Sequence, residues 1–499
     1  MIRESILYIA TAACLATGLA GCDDEMTTSS STQIADSQAL GSATGLNMLL
    51  EGNYNCFYFQ TNSSDFRNVF KGITGNYMLD MMRGTDVICN DNLGGEQYDG
   101  YMFSSSYTQA NGTSIVMWKN LYSIINQCNI IIDNIDAAVG EETVKTHIKG
   151  QTLAMRGYCY FQLVQFYQQT YAIAKEKPGV LLRLSSTGSN DVPRSTVAQC
   201  YEQIVSDLTS ARTLLADFSR AEKYYLDKDV VTGMLARVYQ VMGDWEKART
   251  EAQAAFQAYG TLMTRDEWRS GFCHADYAEI IWGFKQTTDT NMGDNGMFCY
   301  WYNFPQETGS EPFYNFKNYF ANDLYVQLFE ETDDRYLFWH RTDTYTDKWA
   351  YSKFYDAGDG QGHSRGDYIL MRGSEMLLIL AESEANLGNT AEALAHLNQL
   401  QAARNVIAKT TTTAQAELLE AIYTERRKEL LGEGGGGMLD LLRLQKPLVR
   451  AGDHFDPGKN PEVFPLPSND YRFIFQIPQR EIQLNEALNE SDQNPFSGQ

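Results

Sequence analysis

Residues 380–397 read LAESEANLGNTAEALAHL, and residues 235–252 read LARVYQVMGDWEKARTEA. Both stretches carry a Leu-Ala pair, then a glycine, then an alanine, and all four positions recur at a constant offset of 145 residues. Each stretch predicts a helix, a tight glycine turn and a second helix, in which the alanine side chains let the two helices approach closely.

Helical periodicity extends this pattern towards the N-terminus. Residues 118–139 and 146–171 form a degenerate third pair, and residues 197–216 are a candidate for a fourth. Thr196 followed by Gln199 has the spacing of a capping box at a helix start. The pattern resembles tetratricopeptide repeats, although two unrelated helical hairpins are the alternative. We therefore predict a mostly α fold whose helix-pair scaffold covers about residues 115–260 and 366–445.

Two loop-like insertions interrupt the predicted scaffold, at about residues 83–111 and 265–365. The second holds 25 of the 61 aromatic residues of the chain, together with many Gly, Asn and Asp residues, and lacks long helical periodicity. We expect both to be large loop-rich segments carrying minor β structure. Long structured loops on a rigid scaffold are common places for binding sites.

The N-terminus has the features of an export signal. The apolar run from Ile6 to Ala20 is shorter than the roughly 20 residues that span a bilayer. It ends in Leu19-Ala20-Gly21-Cys22, which resembles the lipobox of bacterial lipoproteins. We therefore predict a signal peptide at residues 1–21, lipidation of Cys22 and a flexible acidic and Ser/Thr-rich tether at residues 22–42. An ordinary secretory signal is the alternative.

The acidic cluster Asp23-Asp24-Glu25 behind this cysteine has two interpretations. It resembles the signal that exports lipoproteins of Bacteroidetes to the cell surface, and it also suits a solvated tether.

Composition and motifs exclude several function classes. The net charge of −23 repels nucleic acid phosphates and anionic lipid, so we expect no nucleic acid partner and membrane contact through the lipid anchor only. The sequence has no GxSxG, P-loop, HExxH or GxGxxG motif and no CxxC pair. The doublet Asp333-Asp334 is not favoured as a glycosidase pair, because chance doublets are expected in so acidic a chain. We predict no catalytic residue, no metal site and no cofactor.

Aromatic residues among neutral polar groups are the remaining candidates for binding. Tyr and Trp offer flat apolar faces with a polar handle, which suits the C–H face and hydroxyl rim of a sugar ring. For any single aromatic residue, the core of a loop-rich region is the competing interpretation. The predicted ligand-contacting residues are Tyr98, Tyr101, Trp282, Tyr300, Trp301, Tyr302, Trp339 and Trp349.

The C-terminal half carries further ordered motifs. They are DYILMRGSEM at 367–376, AESEANLG at 381–388, ERRKEL at 425–430, Ile477-Pro478 and QNP at 493–495. With the lipobox, these motifs resemble the SusD/RagB family of Bacteroidetes surface lipoproteins over essentially the whole mature chain. The chain departs from the family at Gly435-Gly436-Gly437 and at Asn485-Glu486, which leaves local packing open at both places.

The resemblance implies a single SusD-like domain over residues 43–499 that is non-catalytic and binds nutrients. It also implies that the protein acts as a lid on a SusC-like TonB-dependent transporter, is anchored by lipid in the outer membrane and faces the cell exterior. The favoured ligand is an oligosaccharide. A peptide ligand on the same scaffold, or a repeat-type protein–protein adaptor without a small ligand, are the alternatives. The sequence does not identify the sugar, the linkage or the cognate transporter.

Overall fold

A computed structural model describes the chain at residues 39–59, 72–89, 96–103, 108–269, 272, 274–285, 319–341, 348–351, 353, 367–454 and 464–495. The signal peptide, Cys22 and most of the tether lie outside these ranges, so those assignments stay predictions. None of the described helices is both long enough and apolar enough to cross a bilayer.

The described chain is mostly helical, as predicted. The α-helices are α1 (Ala43–Phe59), α2 (Gly72–Met82), α3 (Glu96–Met102), α4 (Gly112–Ile135), α5 (Glu142–Tyr167), α6 (Tyr171–Ala174), α7 (Val197–Leu214), α8 (Lys228–Met242), α9 (Trp245–Tyr259), α10 (Arg265–Arg269), α11 (Asp323–Val326), α12 (Gly373–Asn386), α13 (Thr390–Ala403), α14 (Gln415–Leu430), α15 (Met438–Arg443) and α16 (Gln479–Leu484). The strands are β1 (Val87–Cys89), β2 (Ile280–Phe284), β3 (Tyr319–Ala321), β4 (Trp339–Arg341), β5 (Trp349–Tyr351) and β6 (Tyr368–Arg372).

Successive helices pack side by side as a repeat scaffold. Helix α4 packs on α5, α5 on α7, α7 on α8, α8 on α9, α9 on α12, and α12 on both α13 and α14. The two repeats found in the sequence, α8–α9 and α12–α13, are therefore neighbours although the long insertion separates them in the chain. The arrangement fits a tetratricopeptide-like scaffold.

The local signals behind this prediction are confirmed. The alanines at 236, 248, 381 and 393 are fully buried between helices. Gly243 and Gly388 turn the chain with φ of +72° and +86°. Thr196 and Gln199 form the capping box, in which the Gln199 N–H donates to Thr196 Oγ1 and the Thr196 N–H donates to Gln199 Oε1.

Both insertions contribute to one small sheet. Its four strands run in the order β1-β3-β5-β4, and every neighbouring pair is antiparallel. Strand β1 comes from the first insertion and the other three strands from the second. A separate antiparallel pair, β2 and β6, joins the start of the second insertion to the strand that leads into α12.

The glycine departure at 435–437 reflects close packing. A Cβ on Gly437 would lie 2.5 Å from Asp80 Oδ2 and 2.6 Å from the Asp80 carbonyl oxygen. Gly436 has φ of +78°, and its N–H donates to the Asp440 carboxylate. That carboxylate is close enough to Asp80 to affect its pKa. The glycines thus let the start of α15 lie directly on the end of α2.

A network of buried ion pairs joins the scaffold to the second insertion. Its side chains are at most 6% exposed. The cations are Arg335, Lys353, Arg372, Arg404 and Lys428, and the carboxylates are Glu279, Asp333, Glu425, Glu429 and Glu433. We call these ten residues the buried ion network.

Glu429 lies at the centre of the buried ion network. Its Oε1 accepts from Arg372 Nη1 and Arg404 Nη2, both at 2.8 Å, and its Oε2 accepts from Arg335 Nη1 at 3.0 Å. Burial by itself would raise the pKa of Glu429, but the guanidinium groups of Arg404, Arg372 and Arg335 hold that pKa well below its ordinary value. The carboxylate is therefore ionised and shared by three segments of the chain.

The glycine turns generate a prediction. Ala at 243 or 388 has free space but must adopt a left-handed backbone, which costs an L-residue about 1–2 kcal/mol. We expect Gly243→Ala and Gly388→Ala each to lower the free energy of unfolding by roughly 1 kcal/mol in urea denaturation. Gly52→Ala, inside α1 with nothing near the new methyl group, should instead be neutral or raise it by up to about 1 kcal/mol. The same sign at all three sites would contradict the turn assignment.

The buried ion network generates a second prediction. Glu429→Gln would leave three guanidinium groups facing a neutral amide. Removing one partner of a buried pair costs about 3–5 kcal/mol, so we expect a loss of that size in the free energy of unfolding. Glu417→Gln, exposed on the same helix, should stay within about 0.5 kcal/mol of the wild-type value. Equal small effects of the two substitutions in urea denaturation would refute the central role of Glu429.

Candidate functional site

The two insertions meet beside a third segment at residues 448–454. Val87 of β1 lies opposite Ala321 of β3, and Asn322 Nδ2 donates to the Ala451 carbonyl oxygen at 2.7 Å. Sequence-predicted aromatic residues from both insertions lie around this meeting point. We call the following set the insertion junction: Tyr98, Tyr101, Asp323, Lys348, Trp349, Arg450, Asp453 and His454.

A buried cation and a histidine fix the inner part of the insertion junction. The Arg450 guanidinium carbon lies 3.8 Å from the centroid of the Tyr101 ring, and Arg450 also donates to the carbonyl oxygens of Gly84 and Tyr101. His454 Nε2 lies 2.7 Å from the Thr85 carbonyl oxygen, which can only accept, so Nε2 carries the hydrogen. His454 Nδ1, 2.7 Å from the Tyr101 hydroxyl, is then the acceptor of that O–H.

The pKa of His454 limits its chemistry. Burial, and then the nearby Arg450 charge, lower this pKa to about 3. The imidazole is therefore neutral at physiological pH and bridges two hydrogen bonds. General acid–base work at neutral pH needs a group with a pKa near 7, so His454 acts here as a structural bridge.

The outer part of the insertion junction is half open to solvent. Trp349 Nε1 donates to Asp323 Oδ1 at 2.6 Å, and Lys348 Nζ lies 3.3 Å from Asp453 Oδ2. The Lys348 and Asp453 side chains are 25% and 19% exposed. Tyr98 is half-buried, with its ring centroid 5.9 Å from that of Tyr101. Trp349 follows Lys348 in the chain, and a half-buried ring beside a paired ammonium and carboxylate suits a neutral polar ligand.

Trp282 is fully buried, contrary to the expectation of a ligand-facing ring. Its exposed fraction is 0%, its indole N–H donates to the Tyr58 hydroxyl at 2.7 Å, and its ring stacks on Phe57 with centroids 6.0 Å apart. Tyr158 meets the same ring edge-on. Strand β2 carries the side chain into the aromatic core, so no face remains for a ligand.

The rings of Tyr101 and Trp339 are also buried, at 1% and 5% exposure. Tyr101 lies under Arg450, as described above. Trp339 stacks on Tyr351 with centroids 4.2 Å apart and meets Tyr325 edge-on. For these two residues as well, the expectation of ligand contact is corrected because packing occupies the ring faces.

The remaining predicted residues divide into two groups. Tyr98 and Trp349 lie at the half-open part of the insertion junction and stay predictions. Tyr300, Trp301 and Tyr302 lie outside the described residues. Asp333, from the unfavoured glycosidase doublet, belongs to the buried ion network.

Sequence reasoning missed a cleft on the helical scaffold. The cleft has a volume of about 430 Å³ and lies where the α8–α9 turn, α12, α14 and the chain after α15 meet. We call it the scaffold cleft. Its polar and aromatic lining comprises Gln240, Trp245, Glu382, Asn386, Glu420, Tyr423, Arg443 and Lys446. The sequence carries one signal of this cleft, an aromatic residue at one position of the repeat. Trp245 of the first copy corresponds to Thr390 of the second copy.

A smaller cavity of about 50 Å³ lies deeper, between α2, α5, α8 and α14, and shares Gln240, Val241 and Arg443 with the scaffold cleft. Asn76 Oδ1 and Arg426 Nη1 line this region and are buried without a hydrogen-bond partner among the described residues. Asn76 Oδ1 is a hydrogen-bond acceptor and Arg426 Nη1 is a donor. The cavity is large enough for an ordered water molecule that forms hydrogen bonds with these atoms.

Asp80 borders the small cavity and has a strongly shifted pKa. This pKa is raised to about 7, mainly by burial and in addition by the Asp440 carboxylate, while the hydrogen bond from the Leu439 N–H lowers it. The charges of Arg426 and Arg83 oppose the rise. Within the described ranges, no group of three or more His, Cys, Asp or Glu side chains is placed to hold a metal ion.

Comparisons with known proteins give a consistent result. A family model described as "Starch-binding associating with outer membrane" matches residues 23–240, and one described as "SusD family" matches residues 297–496. A SusD-like carbohydrate binding protein from Bacteroides vulgatus ATCC 8482 is 29% identical, with a TM-score of 0.80 over 92% of this chain and 99% of that chain.

Two further relatives are more distant. A SusD superfamily protein from Bacteroides thetaiotaomicron VPI-5482 is 24% identical, with a TM-score of 0.77 over 91% of this chain and 100% of that chain. A SusD-like protein of Formosa agariphila is 22% identical over 67% of this chain and 73% of its own length.

Asp80 generates a prediction on pH. Its folded pKa of about 7 lies above the ordinary value of 3.8, so the folded state binds more protons between these values and its stability falls as pH rises through them. Asp80→Asn keeps an oxygen for the Leu439 N–H and removes the charge. We expect it to raise the midpoint of thermal unfolding more at about pH 8 than at about pH 5, by a few degrees.

The matched control is Asp266→Asn, at an exposed position of α10. It should shift the midpoint by the same small amount at both pH values. If Asp80→Asn behaved in the same way as this control, the assignment of a raised pKa to buried Asp80 would be wrong.

Proposed function

The chain belongs to the SusD/RagB family, and from that premise we propose that it is a lipid-anchored, non-catalytic protein of the cell surface that captures oligosaccharide and delivers it to a TonB-dependent outer-membrane transporter. Membership of the family implies a SusD-like nutrient-binding role. We further propose the surface location, the transporter partner and the class of ligand.

One observation carries the choice of ligand. The Bacteroides vulgatus structure, a carbohydrate binding protein, matches nearly the full length of both chains at 29% identity. The insertion junction supports the choice, because it holds the half-buried rings of Tyr98 and Trp349 and a lysine and an aspartate that already neutralise each other. A neutral ligand with an apolar face and hydroxyl groups matches such a site better than a charged one.

Anchoring and location rest on the N-terminus and on the family. Lipidation at Cys22 would attach the mature chain by acyl groups, and more than one acyl chain gives stable anchoring. Association with the outer membrane is stated in the description of the family model that matches residues 23–240. A lid that hands over its ligand needs a transporter at the same membrane, which supports a SusC-like partner.

The test is calorimetric titration of the full-length protein with a panel of neutral oligosaccharides at low and high salt. We expect at least one to bind with little dependence on salt, because a neutral ligand releases no counterions. Tyr98→Ala should weaken binding by about tenfold, as expected for losing roughly 1.4 kcal/mol of ring contact. Tyr336→Ala removes a half-buried ring that is not part of the insertion junction, and this variant should bind as the wild type does.

Failure of every oligosaccharide to bind would refute the proposed ligand class. Binding of cationic peptides that weakens steeply with salt would instead favour peptide uptake by this acidic chain.

A further inference from the structure

The scaffold cleft is lined by the ring of Trp245, on which no other described ring stacks. Among the described tryptophans, only Trp245 and Trp349 are not buried, and Trp349 packs against the core and bonds to Asp323. Trp245 is half-buried at the start of α9, and no described ring or cation stacks on its indole. The indole therefore presents an apolar surface at the cleft.

The charges that line the scaffold cleft neutralise one another. Arg443 Nη2 donates to Glu382 Oε2 at 3.0 Å, and Lys446 Nζ donates to Glu420 Oε1 at 2.5 Å. Tyr423 forms part of the lining with Lys446 Nζ 5.1 Å from its ring centroid. Since the lining has two cations and two paired carboxylates, neither an anion nor a cation gains net attraction there.

Acceptor atoms remain among the polar residues of the cleft. Gln240 Nε2 donates to Glu382 Oε2 at 2.7 Å, and Asn386 Nδ2 donates to the Glu382 carbonyl oxygen at 2.9 Å. These bonds orient both amides and use none of the acceptor capacity of their side-chain oxygens. Glu420 is 63% exposed and keeps acceptor capacity beyond its bond to Lys446. The ligand that suits this lining is neutral and donates hydrogen bonds.

We propose that the scaffold cleft is a second binding site, which takes one neutral pyranose ring stacked on Trp245 with its hydroxyl groups donating to Gln240, Asn386 and Glu420. The volume of about 430 Å³ lies within the usual range of small-ligand sites, roughly 300–1,000 Å³. The cleft shares no residue with the insertion junction, so the site stands independently of where the oligosaccharide of the proposed function binds.

Both repeats build this site. Gln240 lies in the last turn of α8, Trp245 begins α9, and α12 supplies Asn386, which lies within the second copy of the motif. Glu420 comes from α14, which packs on α12. These helices pack on one another, and no lining residue of the scaffold cleft belongs to either insertion.

The test uses the full-length protein in a detergent without a sugar head group. The probes are methyl α-D-glucopyranoside, methyl β-D-galactopyranoside and methyl α-D-mannopyranoside, each titrated by saturation-transfer NMR. We expect at least one to bind saturably, with about tenfold weaker binding in Trp245→Ala and a smaller loss in Trp245→Phe, which keeps a ring. Tyr336→Ala, whose ring lines neither cavity, is the matched control and should leave binding unchanged.

Three results would overturn the proposal. They are the absence of saturable binding by all three probes, equal binding by Trp245→Ala and Tyr336→Ala, and loss of a copurifying membrane protein in Trp245→Ala without any pyranoside binding. The last would make the cleft a protein-docking surface. An unchanged unfolding midpoint in Trp245→Ala shows that the variant is folded.

The same series of variants distinguishes the insertion junction from the scaffold cleft. Tyr98→Ala should weaken oligosaccharide binding and leave methyl pyranoside binding at the scaffold cleft unchanged. Failure of the proposed function and failure of the second site therefore give different results.

Discussion

The fold depends on a set of charges that water does not reach. The buried ion network has five cations and five carboxylates, and its partners come from distant parts of the chain, such as Glu279 before β2, Arg372 in β6 and Glu429 in α14. Each ion removed from water is tolerable only with its partners present, because an isolated buried charge costs several kcal/mol. The insertion, the strand before α12 and helix α14 must therefore take their places together, which fixes their mutual register.

The same network gives some of the described aromatic residues of the second insertion a buried role. Trp268 lies over Arg404, with the guanidinium carbon 4.8 Å from the ring centroid, and Phe272 lies over Arg372 at 4.6 Å. Ring faces shield the cations from water and interact favourably with them. Aromatic richness here reflects the requirements of a charged core as well as those of ligand binding, and composition does not separate the two.

Local physics made much of the scaffold predictable. The glycine turns at 243 and 388, the buried alanines and the Thr196–Gln199 capping box are encoded within a few residues of one another, so they can be read from the chain. Contacts between distant segments cannot be read in this way. The motif ERRKEL is visible in the sequence, yet nothing in its spacing shows that Glu429 meets Arg335, Arg372 and Arg404. The burial of Trp282 and the opening beside Trp245 depend in the same way on which elements pack together.

The base of the second insertion has an evolutionary consequence. The chain leaves the scaffold at Tyr259 and returns at Gly373, and the two are so close that a Cβ on Gly373 would lie 2.1 Å from the Tyr259 carbonyl oxygen. For a loop whose ends are already held together, doubling its length costs only about 0.6 kcal/mol of closure entropy. Segments of the insertion away from its ion-paired anchors are therefore nearly free to lengthen, shorten or diverge. A new ligand specificity can therefore evolve in the insertion while the helical scaffold stays unchanged.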